Sequence, residues 1–421
     1  MSKSKPSLAD LYVKPGKAVA DAQLPRVTVV ILNLNGKHHL ELCLNSLFAM
    51  DYPSERLDVV LVDNASDDGS VELIRRKWPQ VRLHVNSRNV GFAPGCNIGA
   101  SLRGESSVLA FLNNDMRVDK AWLRELVAPL VRGECVAATS KMMSWDGKTL
   151  DSAGGGMNFH GFGLQYGYKD PPHHDYDKPR KTLFACGGAM AMDAKLYDRL
   201  GGFDNEFFAY YEDVDLGWRT WVMGHEVHYA PNSVCWHHHH GTSKRLPLET
   251  VRLIQVRNPL LSCFKNYDDD NLRKVLPVAL ALAFRRTLIV SGIPSDQPYR
   301  IEHARPAEPG ADATKFDKLL GKLRLKAPAK HGIAPITRIG VADLIAVNDL
   351  LSNWEHWMRR RAEVQSRRKR NDAEIFRLFL RPMWCIEKDP QYQQLFAGAT
   401  ALFGVDELFA GLTLIDKDPV G

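Results

Sequence analysis

Val27-Thr28-Val29-Val30-Ile31-Leu32 runs straight into Asn33-Leu34-Asn35-Gly36 near the start of this 421-residue chain. A continuous apolar and β-branched run suits a strand buried on both faces, where no polar alternation survives. The turn-forming residues after it stop it sharply. The same pattern recurs three times. Leu57-Asp58-Val59-Val60-Leu61-Val62 stops at Asp63-Asn64-Ala65-Ser66-Asp67-Asp68-Gly69-Ser70. Val81 to Val85 leads into Asn86-Ser87-Arg88-Asn89-Val90-Gly91, and Val108-Leu109-Ala110-Phe111-Leu112 ends in Asn113-Asn114-Asp115. Between them lie helical patterns: Leu40, Leu42, Leu44, Leu47 and Phe48; Val71 to Trp78, with Ser70 as N-cap; and a segment beginning near Asn97. This alternation predicts an α/β fold with a mainly parallel sheet and crossover helices.

In such a sheet, ligands bind beyond the carboxyl ends of the strands. Every one of those ends is polar here. Asn33 and Asn35, Asp63 and Asn64, the Arg88-Asn89 to Gly91 turn with Asn97, and Asn113-Asn114-Asp115 all converge on one rim. No Gly-x-Gly-x-x-Gly or P-loop pattern is present, which counts against a dinucleotide enzyme or a nucleoside-triphosphatase. Gly91, Gly95 and Gly99, four apart, allow two readings: close helix–sheet packing, or a backbone that approaches a phosphorylated ligand near a helix start.

Downstream, Phe207-Phe208-Ala209-Tyr210-Tyr211-Glu212-Asp213-Val214-Asp215 sets four aromatics directly before three carboxylates. Aromatic flanks remove water, and a partly desolvated carboxylate holds its proton more tightly, as a general base requires. The alternative is three acids in a helix's first turn, favoured by the macrodipole. Asp215 in particular reads as such an acid, contributing about 0.3–1 kcal/mol.

Composition narrows the class. Apolar content of 45%, charged content of 25% and a net charge of +6 are ordinary globular values and do not call for nucleic acid. Seven scattered cysteines without a Cys-x-x-Cys pair argue against a disulfide framework and for a reducing compartment. The N-terminus has no apolar signal core, and no stretch reaches about 18 uninterrupted apolar residues. The expectation is a cytoplasmic protein, peripheral at the inner face of the cell membrane if it meets a membrane at all.

The ordered set Asn33-Leu34-Asn35-Gly36, Val62-Asp63-Asn64, Asn89-Val90-Gly91-Phe92-Ala93, Leu112-Asn113-Asn114-Asp115, Cys186-Gly187-Gly188, Gly201-Gly202-Phe203-Asp204, Tyr211-Glu212-Asp213-Val214-Asp215 and His237-His238-His239-His240-Gly241 resembles the family 2 inverting glycosyltransferases. The nearest flavour is the rhamnosyltransferase-like branch of bacterial surface-polysaccharide enzymes. The likeness spans about residues 25 to 270. It implies a GT-A fold, a nucleotide-diphospho-sugar donor, a lipid-linked or polysaccharide acceptor, and Mg²⁺ or Mn²⁺. It places Asp63, with Asn33 and Asn35, at the nucleotide, and Asn64, Arg88, Asn89, Gly91, Asn97, Asn113 and Asn114 along the donor. Asp115 becomes the metal carboxylate, joined by His238, and Asp213 the base with Glu212 beside it. Asn113 departs from the pattern by replacing the first acid, so metal binding without donor should be weak.

Residues 1–24 read as a flexible lead-in and 271–421 as a helical extension, with helices over Asn271–Gly292 and Val341–Phe379. The second carries Trp354, Trp357 and the basic run Arg359 to Arg370, which suits either an anionic membrane surface or internal packing. The glycine-rich stretch from Ser144 to Lys181, with Phe159, Phe162, Tyr166 and Tyr168, is either an acceptor-facing flap or a packed loop. Outside the enzyme class, a non-catalytic sugar-nucleotide-binding or scaffold protein is favoured by Asn113 alone. A nucleic-acid-binding protein lacks any recognition motif.

Overall fold

The computed structural model describes residues 6–238, 247–292 and 337–417. His239, His240 and Gly241 of the histidine motif, and the stretch 293–336 that links the two expected C-terminal helices, lie outside the described residues.

The first half alternates as expected. β1 (Val27–Asn33), α1 (Lys37–Phe48), β2 (Leu57–Asp63), α2 (Ser70–Lys77), β3 (Arg82–Val85), α3 (Phe92–Ser101) and β4 (Val108–Asn113) follow in order. α2 is capped by Gly69 in the left-handed region, with Ser70 already helical, and α3 starts five residues before Asn97. Then come β5 (Met116–Val118), α4 (Trp122–Val131), β6 (Ala137–Ser144), β7 (Leu150–Ser152) and a hairpin of β8 (Gly155–Met157) and β9 (Gly163–Gln165). β10 (Arg180–Lys181), β11 (Ala189–Asp193), α5 (Ala194–Leu200), α6 (Glu212–Val222), β12 (Val227–His237), α7 (Leu248–Asn266) and α8 (Asp269–Val290) follow.

The main sheet runs β10-β12-β6-β11-β4-β1-β2-β3, with β5 on β12 and β7 on β6. β4, β1, β2 and β3 are parallel, as predicted. The other half makes the sheet mixed: β11 runs antiparallel between β4 and β6, and only the β6–β12 pair is parallel there. β1 divides the core by alternation. Val27, Val29 and Ile31 face Leu40, Leu44 and Leu47 of α1 and Trp122 of α4, while Val30 faces Ala93 and Cys96 of α3 on the other side. A Cβ on Gly99 would stand 2.3 Å from Val30 Cγ1, and one on Gly95 2.4 Å from Leu32. These two glycines therefore serve helix–sheet contact.

Three expectations are changed or narrowed. The lead-in is not loose over its described part: Leu11, Val19 and Leu24 are buried, and Val13 N–H donates to the Pro179 carbonyl at 3.0 Å. The Ser144–Lys181 stretch is largely packed, with Phe159 fully buried and ringed by Phe396 and Phe409.

The third change concerns the C-terminal helix, which is broken. Arg338–Ser352 and Trp354–Gln365 part at Asn353, and a short helix Asp372–Ile375 and a 3-10 turn Phe376–Phe379 follow. Trp218 of α6 meets Tyr267 edge-on at 4.8 Å and Phe379 at 5.4 Å, so this segment shares one core with the sheet.

The basic run is spent on that packing. Arg361 donates to the carbonyls of Phe264 and Tyr267, both at 2.6 Å, Arg360 to Asp204 at 3.0 Å, and Arg368 to Asp372 at 2.8 Å. Arg367 and Arg370 bond to the carbonyls of Arg199 and His225. Trp357 is buried. A membrane anchor needs a free basic cluster beside exposed Trp, and these residues are committed to the protein instead. Among the described residues, no helix is long and apolar enough to cross a membrane.

Candidate functional site

A cavity of about 510 Å³ opens over the carboxyl ends of β1 and β4, where the chain connection reverses direction across the sheet. Asn64, Asn89, Gly91, Asn113, Asn114, Asp115, Glu212 and Asp213 all line it, joined by His237. Residues as far apart in sequence as Asn64 and His237 are thus brought to one cavity.

A polar layer adjoins this cavity. Asp63 is fully buried, and its carboxylate accepts from Asn33 Nδ2 at 2.8 Å and from Ser66 N–H and Oγ at 2.8 and 2.7 Å. Asn33 Oδ1 in turn accepts from Asn114 Nδ2 at 2.7 Å. Asn35, at φ 51°, fixes the loop by accepting from Asp67 N–H at 2.8 Å. Gly36 is required by close approach: a Cβ there would sit 2.1 Å from Asn114 Nδ2. Asn33, Asn35 and Asp63 are not among the residues lining the cavity; Asn33, itself bonded to Asp63, holds Asn114 in place. Asn64 donates to Asn89 and to the Gly91 carbonyl, which fixes the opposite rim. Two expected donor residues stand off the cavity. Arg88 is exposed, and Asn97 spends its amide on the Phe203 carbonyl and Asn205.

Glu212 and Asp213 open α6 at the far wall. Asp213 accepts from Gly187 N–H at 3.0 Å and from Val214 N–H at 2.8 Å. Burial raises its pKa above the ordinary aspartate value, against the lowering effect of those amides. Glu212 is buried, its Oε2 has no hydrogen-bond partner, and burial together with the neighbouring Asp213 pushes its carboxyl well above the usual range. Paired carboxylates with raised pKa in a cleft are the setting in which a proton can be taken near neutral pH.

Asp215 is not a solvated first-turn acid. It is completely buried, 2.7 Å from Arg219 Nε and 3.1 Å from Lys265 Nζ, and it accepts from Asn266 Nδ2 at 2.9 Å. Lys265 also pairs with Asp204, so the cluster ties α6 to α7 beneath the site.

At the near wall, Asp115 lies with Oδ1 3.4 Å from Nε2 of His237, whose Nδ1 is 2.6 Å from Asp151 Oδ2. This corrects the choice among the histidines. His238 is off the cavity lining, its ring between His39 and Trp145, and its backbone N–H donates to the Asp115 carbonyl at 3.1 Å. Counting back along β12 gives the reason: Cys235 points into the core, so His237, two residues on, shares its face. Asp151 and Gln255 were not visible as site residues, because β7 and α7 reach the cavity only through the tertiary fold. A carboxylate and an imidazole at one point of the wall, the imidazole oriented by a second carboxylate, are a donor set that fits a divalent cation.

Residues 28–201 match the family model described as Glycosyl transferase family 2. The chain is 29% identical over 223 residues to the O-antigen biosynthesis protein RfbC of Myxococcus xanthus, covering 51% of this chain but only 17% of that protein. It is 26% identical over 244 residues to the N-acetylglucosaminyl-diphospho-decaprenol L-rhamnosyltransferase of Mycobacterium tuberculosis, covering 52% of this chain and 78% of that one. The crystal structure of GalNAc-T7 with UDP, GalNAc and Mn²⁺ superimposes with a TM-score of 0.50 at 16% identity, over 79% of this chain and 58% of that one. That last likeness speaks for the fold alone. Residues 28–201 are a family 2 glycosyltransferase domain, built on a GT-A fold.

Proposed function

We propose that this protein transfers a sugar from a nucleotide-diphospho-sugar to a hydroxyl of a lipid-linked or polysaccharide acceptor, with inversion and with a divalent metal. The observation that carries this reading is the single cavity that Asp115 and His237 line together with Asp213 and Glu212. Asp115 and His237 would hold the cation, which supplies neutralisation of the leaving diphosphate. An imidazole in the set favours Mn²⁺ over Mg²⁺, which prefers oxygen ligands alone. Asn114, braced by Asn33, and the Asn64–Asn89 rim orient the donor. Asp213 takes the proton of the acceptor hydroxyl as its oxygen attacks the anomeric carbon from the face opposite the leaving group. No protein nucleophile is needed, since one displacement inverts the centre.

The acceptor class is supported by the two bacterial relatives, whose names concern O-antigen and a diphospho-decaprenol-linked sugar. The seven cysteines are all unpaired, which supports a reducing compartment such as the cytoplasm. The test is release of nucleotide diphosphate from a panel of sugar donors with Mn²⁺ or Mg²⁺, beside a thermal-shift screen of the same ligands. Donor-specific stabilisation without any release under all acceptors would favour a sugar-nucleotide-binding protein instead.

A further inference from the structure

The loop that delivers Glu212 and Asp213 is held in a conformation it would not adopt alone. Phe208, Tyr210 and Tyr211 have φ of 62°, 66° and 65°. Bulky side chains rarely take this region and persist there only when the surroundings over-determine them.

The surroundings are specific. Asn258, on α7 and completely buried, points its Nδ2 at three carbonyls of this loop: Phe207 at 2.9 Å, Ala209 at 3.0 Å and Tyr210 at 2.8 Å. An amide nitrogen has two protons, so the three acceptors share them, and all three must converge on one point. The intervening carbonyl, Phe208, faces the other way and accepts from Phe92 N–H at 2.6 Å and Ala93 N–H at 3.1 Å. Gly91 makes room for it, because a Cβ there would stand 2.6 Å from the Phe208 oxygen. The loop is thus gripped from α7 on one side and from the start of α3 on the other, and Glu212 and Asp213 follow directly.

We infer that Asn258 is a positioning residue for transfer: its carboxamide locks the 207–211 backbone so that Asp213 meets the acceptor hydroxyl. It lies beyond the matched residues 28–201 and is not among the residues lining the cavity, so it acts on the chemistry through the loop it holds. The inference rests on the reading of Asp213 as base, whereas the locking itself is measurable without turnover.

The experiment compares Asn258→Ala with Arg252→Ala, which removes an ion pair to Asp343 from the same helix; the Arg252 hydrogen bonds go to Asp343 and not to the loop backbone. Hydrogen exchange and steady-state kinetics are read on both. For Asn258→Ala, exchange should rise at amides 208–213 while the β1–β4 amides keep theirs. The kcat should fall on the order of 10²-fold, as misplacement of a reacting group by about 1 Å costs. Donor KM should not move. Arg252→Ala should leave loop exchange and kcat as in the wild type. Asn258→Ser, which keeps one donor, should fall between and serves if the alanine variant does not fold. Unchanged loop exchange in Asn258→Ala overturns the locking. Raised loop exchange with unchanged kcat overturns the positioning role. If the wild type shows no transfer, the proposed function has failed, and the exchange result alone decides the lock.

Discussion

Nε2 of His237 stands 3.4 Å from Oδ1 of Asp115. Burial alone would lower the pKa of this imidazole, but its bonds to Asp115 and Asp151 outweigh burial and hold it at about 9. A metal can bind Nε2 only after that proton leaves. Mn²⁺ affinity in the presence of nucleotide diphosphate should therefore rise with pH up to about 9, with proton release seen by titration calorimetry in buffers of different ionisation heat. His237→Ala should abolish this binding and His238→Ala should keep it. The reverse pattern would return the site to His238. Little Mn²⁺ should bind without the diphosphate, since Asp115 is the one carboxylate of the Asn113-Asn114-Asp115 turn.

Glu212 carries a stability cost that its replacement should reveal. Burial, then the charge of Asp213, raises its folded pKa well above the unfolded value. The folded state then retains a proton that the unfolded state releases, so stability falls as pH rises from about 4.3 toward the folded pKa. Glu212→Gln lacks that slope. Its Tm should exceed that of the wild type at neutral pH, by an amount worth at least about 1.4 kcal/mol per pKa unit. The gap should close near pH 4. A lower Tm for the variant at pH 7.5 would show that the carboxylate is stabilised in the fold.

Asp215→Asn should be costly, not mild. Burial would raise the pKa of Asp215, but Lys265 and Arg219 overcome that and lower it. Its contribution is present above the unfolded aspartate pKa and lost as pH falls through the folded one. Removing the charge leaves two buried cations short of a partner, at about 3–5 kcal/mol. Urea unfolding of the variant at pH 7 measures this, and a loss below about 1 kcal/mol would mean a solvated first-turn acid after all.

Charge reversal in the basic segment should unfold the protein before it affects any membrane. Arg361→Glu sets a buried acid against the carbonyls of Phe264 and Tyr267. Its Tm should drop sharply, while flotation with anionic vesicles should be equally weak for the wild type and for the exposed-site variant Arg359→Glu. Strong vesicle binding by the wild type, lost in Arg359→Glu, would revive the surface anchor.

The parallel half of the fold was legible because β1, β2 and β4 are buried on both faces, and burial leaves its mark in unbroken apolar runs. The polar strand ends followed from the same reading, and eight of the expected residues do line the cavity. What escaped was set by distant contacts. Nothing local to Asp215 announces Lys265, fifty positions on, and the grip of Asn258 on Phe207 to Tyr210 joins segments that only the packing of α7 brings together. The basic run misled for the opposite reason: clustered arginines look alike whether they meet lipid headgroups or backbone carbonyls. The histidine run shows the limit of alternation alone, since its phase is fixed by Cys235 in the core and not by the histidines themselves.

Asp213 as the base is the centre of this account, and Asp213→Asn tests it most directly, because it keeps the side chain's shape but removes its power to take a proton. With the best donor from the panel and saturating Mn²⁺, release of nucleotide diphosphate should fall by on the order of 10²–10⁴. Donor affinity should stay unchanged, since the proposed base acts on the acceptor hydroxyl and not on the nucleotide. Near-normal turnover in Asp213→Asn, with Glu212→Gln inactive, would move the base by one residue. Near-normal turnover in both would contradict the mechanism.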